Sequence, residues 1–546
     1  MITVDLSPDG KALVASFRYD PGIVQAIKRI PGRRYNPDGR NWIIPLFPES
    51  IAELSRLVIN PTDAARKAIE SNGVRERVNP ETLPDCDIVS RPDMPLWKHQ
   101  RQMIAWARHH KASLWHCGMG TGKTRTAIDL IQTEGFKTII IACPNAVINV
   151  WRAQFLNWAV KEIRVVCLDK GSVAQKTDMA DNAVKLNAAV CGQLVLVINY
   201  ESLWREPFGA WALKQNFDLF IQDEIQANKS PGGKSSRYCH KLSKTCGKVL
   251  GLSGTPLSHS PMDAYGVFRA LDDSIFGTSF QRFRARYAIM GGFQNKQVVA
   301  YQNRDEMSAK IDSIRIHVSR DVLDLPEAVH IEQTFEMDSK TMKIYRELEN
   351  ELYVAVESGE VTAANALTKL LRLQQITSGY LTLDTESGED RRYERLNNSK
   401  AELLKTILDG LEQDEPVVVF CRFTPDIESA KAACLETGRI CLELSGHKKE
   451  LQQWQYGEAP VIAVQIGTGA EGIDLTRAAY CVYFSLGFSL NQYEQSLARC
   501  HRPGQKRTVF YYHLIAENTV DRKVYLALKD RKNIIEAILN GGRHGN

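Results

Sequence analysis

Residues 117–124 read Cys-Gly-Met-Gly-Thr-Gly-Lys-Thr, set between an apolar run, LWHC, and a stretch with helical spacing, RTAIDLIQ. Few folds can follow from a glycine-rich turn ending in Lys-Thr at the junction of a buried strand and a helix. Such a turn closes its backbone N–H groups around phosphates, its lysine reaches the terminal phosphates, and its threonine hydroxyl suits Mg²⁺. Gly118, Met119, Gly120, Thr121, Gly122, Lys123 and Thr124 are therefore expected to cradle a nucleotide, with Thr124 on the metal. Cys117 stands where the strict pattern asks for glycine.

The surrounding text agrees with a parallel sheet. From Lys98 to about Leu325, the runs TIIIAC, LVLVIN, DLFIQ and KVLGLS alternate with helical patterns. A second set follows as PVVVFC, CLELSG, VIAVQI, YCVYFS and TVFYYHLI. Strands alternating with helices predict parallel sheets, so the fold class is α/β with two lobes in series. Between the sets, from about Pro256 to Ala401, the pattern turns helical, as in KIYRELENELYVAVESG and AANALTKLLRLQQI. The expected organisation is a small α+β module over 1–59 and a polar connector over 60–90. A nucleotide-binding lobe with a helical protrusion follows over 91–325. Residues 326–546 supply a second lobe with a helical insertion and a C-terminal helix, RKNIIEAIL.

Two further constellations carry chemistry. The strand DLFIQ ends in Asp223-Glu224, which places two carboxylates at the carboxyl edge of a parallel sheet, where α/β ligand sites lie. Asp223 would hold the Mg²⁺ shell, and Glu224 would orient and deprotonate an attacking water. Far downstream, Gln495 to Gln505 reads QSLARCHRPGQ. On a helix, positions i and i+3 share a face, so Arg499 and Arg502 are expected to aim at one target. Two guanidiniums facing the phosphate loop would neutralise charge developing on the transferred phosphoryl group.

Composition excludes little but sets the setting. The 546 residues carry 69 Lys and Arg against 64 Asp and Glu, a net charge of +5. Basic residues cluster at Lys28, Arg29, Arg33, Arg34 and Arg40, at Arg282, Arg284 and Arg286, and around Arg522 to Lys532. Either a solvated face or a nucleic-acid footprint accounts for such clusters. Twelve cysteines lie scattered without a C-x-x-C pair, as suits buried thiols in a reducing cytoplasm. No apolar run spans a bilayer, and MITVDLSPDG lacks the features of a signal peptide.

Taken together, these motifs resemble a superfamily-two helicase-type ATPase, and within it the Swi/Snf family of double-stranded DNA translocases. The likeness runs from about Leu96 to Leu528. It implies two RecA-like lobes, ATP and Mg²⁺ in the cleft between them, and Arg499 and Arg502 acting from the second lobe. Gln100, in Leu96-Trp97-Lys98-His99-Gln100, stands where the family reads adenine, with an amide that can bond adenine bidentately. Ile141-Ala142-Cys143-Pro144 with Trp151, and Asn199-Tyr200-Glu201, resemble DNA-contacting motifs. Ser253-Gly254-Thr255-Pro256 resembles the motif that couples hydrolysis to lobe movement. Phe420 to Phe423 and Gly467 to Leu475 resemble the second lobe's DNA- and nucleotide-facing motifs, which puts Gly472, Asp474 and Gln495 near the nucleotide. Gln226 replaces the family's histidine after the acidic pair, keeping hydrogen bonds but no charge, and Ser230 replaces a common asparagine.

The segment IPGRRYNPDGRNWIIPL is similar to the HARP module of annealing-type members, which implies binding of branched DNA. Trp42 is then either a base-stacking residue or the anchor of a tiny core. The expected activity is ATP-driven tracking of double-stranded or branched DNA by a monomeric, cytoplasmic motor of bacterial or phage type. A strand-separating DNA or RNA helicase is the nearest alternative, and a binding scaffold with a decayed motor the next.

Overall fold

The computed structural model describes residues 2–530, except 9, 11, 47, 73–77, 85, 191, 258–259, 293–296, 358–362, 384–391 and 470–472. Two compact units divide the chain, Met1–Arg320 and Asp321–Asn546. The expected helix RKNIIEAIL lies outside the described residues.

The first unit opens with a five-stranded sheet in the order β3-β4-β2-β1-β5. Its strands are β1 (Ile2–Leu6), β2 (Ala12–Ser16), β3 (Arg34–Asn36), β4 (Asn41–Pro45) and β5 (Ile59–Pro61). β5 pairs parallel to β1, and Ala65 of the following helix, Asp63–Asn72, belongs to the same core. A boundary after residue 59 therefore cuts through this module. The short INP strand, held by pairing rather than by its own apolar pattern, gave no periodic signal.

The larger sheet of this unit has seven strands, all parallel, in the order β14-β6-β11-β10-β7-β9-β8. They are β6 (Ala112–Cys117), β7 (Thr138–Cys143), β8 (Arg164–Cys167), β9 (Leu194–Asn199), β10 (Leu219–Asp223), β11 (Lys248–Ser253) and β14 (Arg315–Val318). Parallel sheets are covered on both faces, and the near-continuous apolar runs follow from that. β7 shows the division: Ile140 and Ala142 enter one core, and Ile139, Ile141 and Cys143 the other. The edge strands β8 and β14 escape the sequence pattern because RVVC and RIHV are only four residues long and each begins with an arginine.

The stretch from 256 to 401 is not wholly helical. It contains a hairpin of β12 (Ala288–Gly291) and β13 (Gln297–Tyr301), then β14, β15 (Ala328–Phe335), and a ribbon of β16 (Tyr380–Leu383) and β17 (Arg392–Arg395). β15 edges the six-stranded parallel sheet of the second unit, ordered β15-β22-β21-β18-β20-β19. The other members are β18 (Val417–Cys421), β19 (Cys441–Leu444), β20 (Val461–Gln465), β21 (Tyr480–Tyr483) and β22 (Val509–Ala516). Here too the alternation splits one strand between two cores: Val418 and Phe420 face one, and Val417, Val419 and Cys421 the other.

Candidate active site

Three adjacent strands, β6, β11 and β10, end side by side. The register sets Ser253 opposite His116 and Asp223 opposite Leu252, so the glycine-rich loop, the acidic pair and Ser253-Gly254-Thr255 leave one carboxyl edge.

The loop is built for close backbone approach. Gly120 and Gly122 have φ of 85° and 89°, a region strained for any side chain, and successive N–H groups in such turns form anion-binding nests. A Cβ on Gly118 would lie 3.0 Å from the Arg320 backbone nitrogen, which explains glycine there. Cys117 belongs to β6 and is fully buried with its thiol 3.8 Å from Met103 Sδ, so this position has no need of a glycine. Lys123 Nζ donates to the carbonyls of Cys117 (2.8 Å) and Gly118 (3.3 Å), and Thr121 Oγ1 donates to Gly118 (2.8 Å). Met119 and Thr124 are half-buried; Met119 Cγ lies 3.6 Å from a Cβ position on Gly254. The helix Lys123–Glu134 starts at Gly122 and stops at Gly135, both left-handed. His116, just before the loop, is pushed down to about 3, by burial first and then by His317, Arg315 and Lys123, so a neutral imidazole sits beside the lysine.

Gln100 is already engaged by the protein on both ends of its amide. It is 2% exposed; its Oε1 accepts from the Trp97 N–H (3.0 Å), and its Nε2 donates to the Thr121 carbonyl (3.2 Å). His99 Nε2 holds the same carbonyl at 2.9 Å. One lone pair and one N–H of the amide are committed to the protein, leaving one of each. The residue is a strut under the loop, and the lone pair and N–H that remain are what a bidentate contact to adenine would use. Motif matching carries no information about such internal bonds.

The acidic pair is equally tied down. Trp151 Nε1 donates to Asp223 Oδ2 (2.9 Å), the Glu224 N–H to Asp223 Oδ1 (3.0 Å), and the Tyr200 hydroxyl to the Asp223 carbonyl (2.8 Å). Burial, with the Glu224 carboxylate beside it, pushes Asp223 well above the ordinary carboxylate range, against the pull of Trp151 and Lys123. Trp151 is fully buried and Tyr200 nearly so. Within the two stretches that resemble DNA-contacting motifs, these side chains therefore bond Asp223, Trp151 at the carboxylate and Tyr200 at the backbone carbonyl, and an indole N–H is the donor that a buried carboxylate needs.

Glu224 adopts φ 50° and ψ 54°, a left-handed conformation that costs a non-glycine residue about 1–3 kcal/mol. A hydrogen-bond chain leads away from it. Gln226 Nε2 donates to Glu224 Oε2 (2.6 Å), Ser253 Oγ donates to Gln226 Oε1 (2.7 Å), and the Thr255 N–H donates to Ser253 Oγ (3.0 Å). The neutral amide bonds a carboxylate with one end and a hydroxyl with the other.

In the second unit, the helix Leu490–Cys500 contains Gln495, which is 5% exposed, and Arg499 in its last turn. The helix ends at Cys500, so Arg502 is not on it, and the shared-face argument for Arg499 and Arg502 fails. Arg502 precedes Pro503, whose ring disfavours helical backbone at the residue before it, and Gly504 follows at φ 107°. Arg502 Nη1 reaches the Ile473 carbonyl (3.3 Å) and Asp474 Oδ2 (4.0 Å). Asp474 also accepts from the Thr476 N–H and hydroxyl. Gly472 lies outside the described residues. Gln505 escaped attention in the sequence: its Nε2 donates to the carbonyls of Thr476 and Ala478 and its Oε1 accepts from Lys506 and Arg507, pinning the turn that carries Arg502. Arg422 is drawn inward, its guanidinium 4.5 Å from the Phe488 ring, and burial pushes it down to about 10.

The SNF2-related domain matches residues 99–379, more than half of the chain, and the helicase conserved C-terminal domain matches residues 399–504. The chain belongs to the SNF2-related family. This SNF2-related protein is an ATP-hydrolysing enzyme of the helicase superfamily. It is 23% identical to a putative protein, p41, of Acyrthosiphon pisum secondary endosymbiont phage 1, over 79% of this chain and 94% of the phage protein. It is 22% identical to an uncharacterized ATP-dependent helicase of Mycoplasma genitalium, over 88% of this chain but 45% of that protein, so it spans about half of that relative. A Caenorhabditis elegans homolog of the SWI/SNF-related, matrix-associated, actin-dependent regulator of chromatin subfamily A-like protein 1 is 22% identical, over 95% of this chain and 73% of its own length. Among solved structures, the Sulfolobus solfataricus SWI2/SNF2 ATPase core in complex with double-stranded DNA is 18% identical, covering 84% of this chain and 95% of its own, with a TM-score of 0.38. No helix among the described residues is long and apolar enough to cross a membrane.

Proposed function

We propose that this SNF2-related protein is a DNA-dependent translocase that hydrolyses ATP to move along double-stranded DNA and remodel junctions or protein–DNA complexes. The single observation that supports it most is the bonded chain Glu224–Gln226–Ser253–Thr255, which ties the base to the segment that follows the next strand. A simple phosphatase has no use for that tie; a motor needs hydrolysis to report to, and obey, another surface. Lys123 and the Gly118–Gly122 backbone hold phosphates, Glu224 takes the proton of the attacking water, and Arg499 and Arg502 neutralise the developing charge from the second lobe.

Mg²⁺ fits this donor set. Among the described residues no group of three or more His, Cys, Asp or Glu is placed to hold a metal by protein alone. A hard ion bound by one carboxylate, a hydroxyl and substrate phosphates would take Asp223 and Thr124. When bound, the ion screens phosphate charge, and Trp151 keeps the Asp223 carboxylate aimed.

The proposed organisation is an N-terminal module resembling HARP, two RecA-like lobes and a cytoplasmic, monomeric motor. The match to the Caenorhabditis elegans homolog covers more of the chain than residues 91–546 contain, so it reaches into that module, for which branched DNA is the proposed partner. The test is ATP turnover with duplex, forked and single-stranded DNA and with RNA, beside triplex displacement and fork unwinding. Stimulation chiefly by duplex, with displacement and little unwinding, is expected. Robust unwinding, or stimulation chiefly by RNA, sinks the proposal in favour of a strand-separating helicase.

A further inference from the structure

The N-terminal sheet and the segment inserted after β11 touch at a turn. Gly32 lies between the helix Pro21–Arg29 and β3 at φ 71°. A Cβ there would be 2.9 Å from Pro45 Cγ and 3.6 Å from Arg282 Nη1, so the Arg282 guanidinium rests against the turn that carries Arg33 and Arg34. Arg282 belongs to the helix Phe280–Tyr287, which buries Phe283 and Tyr287 on one face and leaves Arg282, Arg284 and Arg286 exposed. Arg286 pairs with Glu306, whereas Arg282 and Arg284 have no ion pair among the described residues. Arg33 and Arg34 are exposed as well, and Arg33 donates to the Ile30 carbonyl (3.3 Å).

Guanidiniums from two separately folded elements repel when they share a surface, and they persist where an anion pairs with both. Beside them Tyr35 is 47% exposed with its ring 5.2 Å from that of Trp42. Trp42 itself is half-buried against the module's core, so it anchors the core while Tyr35 keeps an open face. Arginines flanking an open aromatic ring suit a site where a phosphate backbone carries an unstacked base.

We propose that Arg33, Arg34, Arg282 and Arg284 form one DNA-binding face, continuous from the N-terminal module to the inserted helix, which grips the phosphates of a branch while Tyr35 stacks an unpaired base. It rests on the motor reading for the identity of the polymer. What it adds is that the insertion and the module recognise the branch together, so substrate choice is built onto the ATP-binding unit itself.

The test uses the full chain without nucleotide, with labelled forked DNA and plain duplex titrated across salt. Arg282→Ala with Arg284→Ala, and separately Arg33→Ala with Arg34→Ala, should each weaken fork binding about 10-fold. Each should flatten the salt dependence by about 0.9 per lost phosphate contact, with plain duplex affected far less. The matching lysine pairs should keep most of the affinity, and Tyr35→Ala should weaken forks alone. Unchanged fork binding in the Arg282/Arg284 pair, or equal loss on plain duplex, overturns the shared face. So does a drop in melting temperature that the lysine pairs share. Duplex-stimulated turnover of the unsubstituted protein is read separately: its absence defeats the motor reading and leaves the face standing, and its presence with indifferent fork binding does the reverse.

Discussion

The two units hold the residues proposed to act on the nucleotide in opposite ways. In the first, the loop, the acidic pair and Ser253 are cross-linked by side-chain hydrogen bonds of 2.6–3.2 Å, with Trp151 and Gln100 buried as braces. In the second, Arg502 sits on a turn beyond a helix end, reaching a carbonyl at 3.3 Å and a carboxylate at 4.0 Å. Long contacts to half-exposed partners hold a guanidinium weakly. The difference separates two tasks. Binding and proton abstraction need fixed geometry, whereas a charge that serves only during phosphoryl transfer must be able to change partners.

That division can be broken most directly at Glu224. Glu224→Gln should leave nucleotide binding intact and cut turnover by up to about 10⁴-fold, the upper range for a general base. Near-normal turnover would remove Glu224 from the chemistry and leave the first unit as a binding site alone. Arg502→Ala comes next: turnover should fall by about 10³-fold with nucleotide affinity nearly unchanged, as for a finger arginine. A comparable loss of affinity would mean that Arg502 is part of the ground-state site, and the contrast between the units would collapse.

Gln226 sharpens the comparison within the first unit. Gln226→Ala removes both ends of the link, so basal turnover should fall about 10-fold, the size of one lost charge-assisted hydrogen bond, and duplex stimulation should disappear. Gln226→His should restore the link only where the imidazole is neutral, because a protonated ring cannot accept from Ser253. Turnover of that variant should rise with pH through about 6.5, while the parent lacks the step. A flat profile in Gln226→His would show that the Ser253 end of the chain is idle.

How far the sequence reached follows the same physical line. The glycine-rich loop and the central strands were legible because both depend on local pattern: glycines at positive φ, and apolar runs buried on two faces. Edge strands β8, β14 and β15 were not, since pairing with one neighbour tolerates half-polar residues such as RIHV. The Arg499–Arg502 geometry was misjudged by extending a helix into a residue that precedes proline. The bonds of Trp151 and Tyr200 to Asp223 were not legible, because motif spacing reports position along the chain and not what a side chain on a helix meets. Gln505 shows the same limit, a conspicuous polar residue whose bonds all fold inward.

The smallest expected effect tests whether the first unit's order is costly. Asp223 is held up to about 7 by burial and by Glu224, above the ordinary 3.8. Below pH 3.8 its carboxyl is neutral whether the chain is folded or not, and it contributes no pH dependence. Between 3.8 and about 7 the unfolded chain ionises it while the folded chain keeps the proton, so stability from this group declines as pH rises and levels off above 7. In Asp223→Asn the amide cannot titrate, yet its oxygen can still accept from Trp151. The melting temperature of Asp223→Asn, measured against the parent without nucleotide or metal, should therefore gain steadily from about pH 4.5 to about pH 7.5. The gain should level off above about pH 7, where Asp223 is ionised in the folded parent as well. Carboxylates distant from Asp223 titrate equally in both proteins and cancel in the difference. A gap that stays constant with pH, or one that narrows, would mean that the folded protein already carries Asp223 as a carboxylate, and that the tightly bonded edge of the first unit stores no electrostatic cost for a cation to relieve.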